Sequence, residues 1–198
     1  MRVLHRVVLI LGSLGLIAGF AQPARAADAG DITAGYSYLY DNAGSTGFPA
    51  GWFLSAAAIN DVFAFVGDVS GHYKSQSFSF NGVTETLSIN IYTFMAGPRV
   101  IGHSGPLGFY GQFLVGAQRL SGTTSESGPG IGTISPPVGG SASDTEFCYA
   151  PGAGVDVGLG DNAAVRVGVS ERFIHFDSTT QKEFQLQLGF VYRFAAGR

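Results

Sequence analysis

From Phe184 to Phe194 every second residue is apolar or aromatic, and Gln185, Gln187, Gly189, Val191 and Arg193 fill the places between. A period of two is that of a β-strand with one greasy and one mostly polar face; a helix would repeat its apolar positions at three and four. The pattern recurs along the chain. Ile32, Ala34, Tyr36, Tyr38 and Tyr40 stand opposite Thr33, Gly35, Ser37 and Leu39, and Trp52, Leu54, Ala56 and Ala58 stand opposite Phe53, Ser55, Ala57 and Ile59. Phe63, Phe65, Val69 and Tyr73 alternate with Ala64, Val66, Asp68, Ser70 and His72. A fifth segment sets Phe109, Phe113, Val115 and Ala117 against Tyr110, Gln112 and Gln118, and a sixth sets Phe147, Tyr149, Val155 and Val157 against Cys148, Ala150 and Asp156. A seventh alternates Val165, Val167 and Val169 with Arg166, Ser170 and Arg172. The fourth segment, about Glu85 to Pro98, is apolar on both parities, so its faces stay unassigned. Composition agrees with β structure: 16 Phe, 8 Tyr and 30 Gly accompany a charged fraction of only 13%, about half that of an ordinary soluble domain.

The first residues read as an export signal. Arg2 and Arg6 precede an apolar run from Val7 to Phe20, and Ala24-Arg25-Ala26 supplies small residues for cleavage after Ala26. Residues 1–26 are thus expected to be a signal peptide and 27–198 one barrel domain. Removing the leader leaves 172 residues with eight basic and 14 acidic side chains, because Arg2, Arg6 and Arg25 depart and no acid does. A mildly acidic exported chain without a basic run is not a nucleic-acid binder. The single cysteine, Cys148, allows no internal disulfide and lies far from the place of a lipid anchor.

Beyond residue 26 no run reaches the ~18–20 apolar residues of a spanning helix. A membrane-crossing chain must then be a closed barrel, since hydrocarbon offers no partner to an open sheet edge. The faces opposite the greasy ones collect Asp68, Gln112, Asp156, Arg166, Arg172, Gln185, Gln187 and Arg193. That is too much polarity for the dry core of a small soluble barrel, whereas an eight-stranded membrane barrel turns its apolar face to lipid and pairs its polar groups inside. These eight residues are expected to form that interior network, because each buried charge left alone costs several kcal/mol. Glu171 carries the lipid-facing parity and implies either a place above the bilayer or a bulge that changes register.

The connections alternate in length. Asp41 to Phe48, Lys74 to Thr84, Ser121 to Thr145 and Asp177 to Lys182 are polar and comparatively long, whereas Asn60-Asp61 and Gly160-Asp161-Asn162 are tight. Val100 to Pro106 is the exception, longer than the alternation predicts. Long loops at one end and short turns at the other characterise outer-membrane barrels.

The leader, the eight segments, Gly67-Asp68-Val69-Ser70-Gly71-His72-Tyr73, Ile91 to Arg99, Gly152 to Val157 and the closing Leu188 to Phe194 resemble the small OmpA-like outer-membrane β-barrels over nearly the whole mature chain. The resemblance implies an eight-stranded antiparallel up-and-down transmembrane β-barrel. It also implies that the closing aromatics Phe190, Tyr192 and Phe194 are read by the barrel-assembly machinery, although Ala195-Ala196-Gly197-Arg198 follow them here. Some barrels of this kind are lipid A 3-O-deacylases with His, Ser and Glu near the outer rim. His175, Ser178 and Glu183 occupy a similar region, and a serine activated by a carboxylate-oriented histidine is the chemistry ester cleavage needs. The pattern differs, however: two residues rather than one separate His175 from Ser178, which moves the hydroxyl to the other face of a strand.

No GxSxG, HExxH, P-loop, GxGxxG or paired-cysteine motif occurs. His72, His103 and His175 fall on different predicted elements, so no metal or other cofactor is expected. Lys74, Arg119 and Lys182 near the outer rim are charges that lipopolysaccharide phosphates or plain solvent would satisfy. Tyr36, Tyr38, Tyr40, Trp52, Tyr149 and Tyr192 match interfacial aromatic girdles. The expected role is structural or surface-interactive, without catalysis, among outer-membrane lipid and lipopolysaccharide. A narrow pore, a lipid A esterase and a soluble barrel with an inward aromatic face are the rivals.

Overall fold

The computed structural model describes residues 29–80, 83–128, 132–134, 142–176 and 179–195. The expected leader, the Pro/Gly-rich part of the largest connection, and Asp177-Ser178 lie outside the described residues. The strands are β1 (Ala29–Asp41), β2 (Thr46–Phe48), β3 (Ala50–Asn60), β4 (Phe63–Phe80), β5 (Val83–Ser104), β6 (Leu107–Gly128), β7 (Gly132–Ile134), β8 (Ala142–Gly158), β9 (Ala163–Phe176) and β10 (Thr179–Ala195). Eight of them follow one another antiparallel, and β10 pairs with β1 from Ala29↔Ala195 to Asp41↔Glu183, which closes the ring. The short β2 and β7 append to β1 and β6. Every strand of the ring therefore has two neighbours and no edge remains over the shared length.

The register fixes the shape. A row of paired residues starting at Ile32 runs through Ala56, Gly67, Ala96, Val115, Tyr149, Phe173 and Lys182 and arrives beside Asn42, ten positions up β1. Rows thus climb little more than one residue per strand, with the strands tilted about 40° to the barrel axis. Positions on different strands can be put on one height scale by this climb. Phe63, Phe109 and Tyr192 then form a lower belt, and Tyr40, Tyr73, Tyr92, Phe147 and Phe173 an upper one, roughly ten residues apart along the tilted strands. At ~3.3 Å per residue and this tilt the separation is about 25 Å, the height of an outer-membrane apolar band.

The two faces are the reverse of a soluble protein's. Phe65 is 63% exposed on the outside, while Arg166 and Arg172 are 2% and 0% exposed within. This arrangement rules out the soluble barrel with an inward aromatic face. The unassigned segment resolves on β5, where Ile91, Thr93, Met95 and Arg99 turn inward and Phe94 and Val100 outward. Neither reading of Glu171 holds. Its pairing with Phe184 is in unbroken register, so there is no bulge, and it lies about two residues below the upper belt. Beside it the β8–β9 pairing lapses at Pro151, which has no N–H to give.

The ends also differ from expectation. Val100 to Pro106 is no long turn: β5 and β6 run on to Ser104↔Leu107, and only Gly105-Pro106 connects them, Gly105 taking φ 59° where a two-residue turn needs a left-handed residue. At the other end β4 continues to Phe80, β5 begins at Val83, β6 reaches Gly128, β8 begins at Ala142 and β10 at Thr179. The described residues of Lys74–Thr84, Ser121–Thr145 and Asp177–Lys182 are thus strand. Their polarity reflects water on both faces of a sheet whose backbone ladder stays intact, and it does not signal a loop. A ring sealed in this way should resist sodium dodecyl sulfate until boiled. On a gel the unboiled protein is expected to migrate apart from the boiled one, and identical mobilities would contradict closure.

Candidate functional site

Alternation on β1, β5, β6, β8, β9 and β10 carries polar side chains into the lumen at two levels. In the lower one, Arg166 is held on three sides. Its Nε and Nη2 donate to Asp156 Oδ1 and Oδ2 at 2.7 and 2.9 Å, its Nη1 to Thr33 Oγ1 at 2.9 Å, and Nη2 also to Asp31 Oδ2 at 3.1 Å. Arg193 Nη2 adds a second cation to Asp156 Oδ2 at 2.9 Å. Arg99 donates through Nε and Nη2 to Gln112 Oε1 at 3.0 and 2.7 Å, with its Nη1 3.8 Å from Asp31 Oδ2. The Tyr110 ring is faced by both guanidiniums, 4.4 Å from Arg99 and 4.9 Å from Arg166, a geometry in which the ring quadrupole offsets part of the crowding of like charges. Room for that tyrosine exists because Gly154 and Gly168 lack a Cβ that would overlap its hydroxyl.

In the upper level Arg172 spans the lumen from β9 to β5 and β4, donating from Nη1 to Thr93 Oγ1 at 2.9 Å and from Nη2 to Ser70 Oγ at 2.7 Å. Glu183 Oε2 lies 3.9 Å from Arg172 Nη1, and its Oε1 accepts from Gln118 Nε2 at 3.0 Å. Ser37 Oγ accepts from Gln185 Nε2 at 2.7 Å and meets His72 Nε2 at 2.8 Å. Asp68, between the levels, accepts from Gln187 Nε2 at 3.5 Å. Apolar side chains fill the remaining space, with Val66, Met95, Leu114, Cys148 and Ile174 in one cluster and Leu39, Phe48 and Ile91 capping the top.

Ion pairs within the lumen join Arg99, Arg166, Arg172 and Arg193 to Asp31, Asp156 and Glu183, while the buried Asp68 meets Gln187. All eight residues read from the sequence as interior lie on the lumen side, six of them buried, with Gln112 and Arg193 partly exposed. Asp31, Arg99, Gln118 and Glu183 were missing from that set, together with Thr33, Ser37, Ser70, His72 and Thr93 as hydrogen-bond partners. Asp31 continues the parity of Thr33 and was legible; Arg99 needed the face of β5, which apolar residues on both parities concealed.

The esterase triad is not brought together. His175 is exposed on the outer face, with its ring 6.1 Å from that of Tyr149, whereas Glu183 points inward beside Arg172 and Gln118. Register decides this: Glu183 pairs with Arg172, three residues from His175 and on the opposite parity. Ser178 lies outside the described residues. His72, His103 and His175 stand on β4, β5 and β9, the first buried against Ser37 and the other two exposed.

Outside the ring, Trp52 donates from Nε1 to Tyr73 Oη at 3.0 Å, its indole lying over Gly71, and Tyr73 packs edge-on to Tyr92 with centroids 5.9 Å apart. Tyr149 stacks on Phe173 at 4.9 Å. Just above this belt Lys182 Nζ sits 5.2 Å over the Phe173 ring, and Arg119 points outward from β6, paired in register with Tyr92. Lys74, by contrast, has lumen parity and lies 5.8 Å over Phe48. Two shallow depressions, of about 340 and 440 Å3, occur on the wall, one between Phe65 and Phe194 and the other beside Phe109 and Val167.

A closed ring with an apolar outer band between aromatic belts and an ion-paired lumen defines a membrane-spanning β-barrel. Residues 11–194 match the family described as outer membrane protein beta-barrel domain, and the chain belongs to that family. Among solved structures it is similar to Neisserial surface protein A, at 15% identity and a TM-score of 0.61 over 84% of this chain and 96% of that one. It is also similar to Ail, the attachment invasion locus protein of Yersinia pestis, in complex with the heparin analogue sucrose octasulfate, at 20% identity and 0.55 over 84% and 98%. OprG from Pseudomonas aeruginosa aligns at 11% identity and 0.56 over 86% and 97%. No curated protein matches closely enough in sequence to count as a relative.

Removing Arg166 strips four hydrogen bonds from the lower network and leaves Asp156 to Arg193 and Asp31 to its 3.8 Å contact with Arg99. Arg166→Met is expected to destabilise the folded barrel by about 3–5 kcal/mol, because Asp156 and Asp31 lose their shared cation. Urea titration in detergent would measure it, and a loss below about 1 kcal/mol, the worth of an exposed pair, would show that the network does not hold the barrel.

Proposed function

We propose that this chain is a surface-displayed outer-membrane protein with a structural and interactive role and no catalytic step of its own. In this reading residues 1–26 are removed on export, and Phe190, Tyr192 and Phe194 serve the barrel-assembly machinery as the insertion signal. The barrel then sits among outer-leaflet lipopolysaccharide with its long end outside the cell. The observation that carries the reading is the asymmetry of the two ends. β1 and β3, with 13 and 11 residues, suffice for the bilayer, whereas β5 and β6 have 22 each, about twice what a spanning strand requires. The surplus lies at one end only, past the upper belt, while the other end closes through turns such as Asp61-Val62 and Gly105-Pro106. A chain that needed only an anchor would not extend three paired strands into water.

The filled lumen argues against the narrow pore. Arg172 crosses it from β9 to β4 and β5, and lower down the Arg166 and Arg99 guanidiniums crowd the same section about the Tyr110 ring, so an ion would have to break several charge-assisted bonds to pass. Planar-bilayer recordings are expected to show no resolved conductance steps; regular steps would restore the pore. Among structures of the same fold, Ail has been captured with a heparin analogue, so such a barrel can present a ligand surface.

Orientation is testable on intact cells. Cys148 is buried and should stay silent to a membrane-impermeant maleimide. Gln76→Cys, on the extension, is expected to label, and Val62→Cys, at the short-turn end, to remain unlabelled until the outer membrane is permeabilised. The opposite pattern would overturn the proposed display.

A further inference from the structure

The outer face of the extension changes chemistry abruptly at the upper belt. On β4 the outward residues are Phe63, Phe65, Val69 and Tyr73 up to that level, and Ser75, Ser77 and Ser79 above it. On β5 Phe94 and Tyr92 give way to Asn90, Ser88, Thr86 and Thr84. On β6 Phe113, Val115 and Arg119 give way to Ser121, Thr123 and Ser125. Above Tyr73, Tyr92 and Arg119 this face of the three strands carries no charge and no apolar group through these positions. The opposite face of the same strands is mixed, with Gln76, Phe78, Glu85, Leu87 and Ile89.

A strand that ends a sheet in water often carries charges, lysine above all, to keep other chains from its open edge. Here the side chains instead form cross-strand hydroxyl pairs: Ser75 Oγ with Ser88 Oγ at 3.1 Å, Ser77 Oγ with Thr86 Oγ1 at 2.9 Å, and Ser79 Oγ with Thr84 Oγ1 at 2.8 Å. The register sets Thr123 beside Ser88 and Ser125 beside Thr86, which widens these two rungs to three strands. In each pair one hydroxyl donates to the other, leaving one free O–H and several lone pairs aimed outward. Rungs repeat about every 6.7 Å along the strands and about 4.8 Å across them.

From below upward the outer wall therefore presents aromatic rings, then the cations Arg119 and Lys182, then uncharged hydroxyls over about 15 Å of height at the barrel's tilt. An outer leaflet of lipopolysaccharide has the same order: acyl chains, glucosamine phosphates, then core sugars. We propose that the Ser/Thr face is a docking surface for the core saccharide of lipopolysaccharide in the same membrane, with Arg119 taking the phosphate beneath it. The partner follows from continuity, because the hydroxyl rungs begin directly above the aromatic belt where the leaflet's sugar layer starts. It rests on the outward display proposed above.

The test uses the full chain folded in detergent micelles and titrated with two probes, lipopolysaccharide carrying its complete core and lipid A without sugars. The wild type is expected to bind the sugar-bearing form about tenfold more tightly, as a set of modest hydrogen bonds would give. Ser77→Ala/Thr86→Val/Ser125→Ala, which empties the middle rung, is expected to abolish that ratio and leave lipid A affinity unchanged, while Arg119→Gln weakens both. If the triple variant loses its heat-modifiable fold, Thr86→Val alone is read, since valine keeps the strand. Equal affinities in the wild type, or a ratio that survives loss of the rung, overturn the proposal. Failure of Gln76→Cys to label on intact cells overturns the display and the saccharide contact together, whereas labelling with no sugar-dependent ratio overturns the contact alone.

Discussion

A peptide group inside hydrocarbon has no water to bond, and an unpaired N–H or C=O there costs several kcal/mol. For a chain of strands the solution is closure, and the pairing of β1 with β10 supplies it along 13 residue pairs. Much else depends on that ring. Closing with a shift of ten residues sets the tilt, the tilt sets how much strand the bilayer consumes, and the remainder is free to project. The same closure makes the lumen too narrow to be a vessel. It holds side chains and little else.

Turning the apolar face to lipid leaves the polar face to solve its own electrostatics. Ion pairs of four arginines with Asp31, Asp156 and Glu183 do much of this, and serine, threonine and glutamine side chains supply further bonds. Two levels of this network tie β9 to β1 and to β4 and β5, strands that share no backbone pairing with it. Cross-lumen bonds of this kind brace the cylinder against flattening, which the ladder between adjacent strands cannot do. The cost of burying the ions is offset because each guanidinium meets fixed acceptors rather than an apolar wall.

The upper part of the wall is governed by water and headgroups rather than by hydrocarbon. Once past the belt of Tyr73 and Tyr92, β4, β5 and β6 no longer need an apolar outer face, yet their ladder continues because each still has a partner. Serine and threonine hydroxyls can satisfy one another across strands. The extension is therefore ordered by the barrel beneath it, which holds its three strands in register.

The period-two pattern, the absence of a spanning helix and the surfeit of polar residues on one parity were enough to specify an eight-stranded membrane barrel and to pick Asp156, Arg166 and Arg172 as interior. The alternation is a local property of the chain, so it survives without any knowledge of partners. Polar segments misled. Ser75-Gln76-Ser77-Phe78-Ser79-Phe80 also alternates and is followed by Asn81-Gly82, a hairpin signal, but polarity on both faces made it look like a loop. The faces of β5 and the register that separates Glu183 from His175 were not legible, whereas the inward turn of Glu183 continues the parity of Gln185. What the sequence by itself determined is which residues share a face of a strand. What only the tertiary structure decided is which strands meet at which register, because pairing joins residues up to 166 positions apart, as Ala29 with Ala195, and a shift of one position would exchange inside for outside.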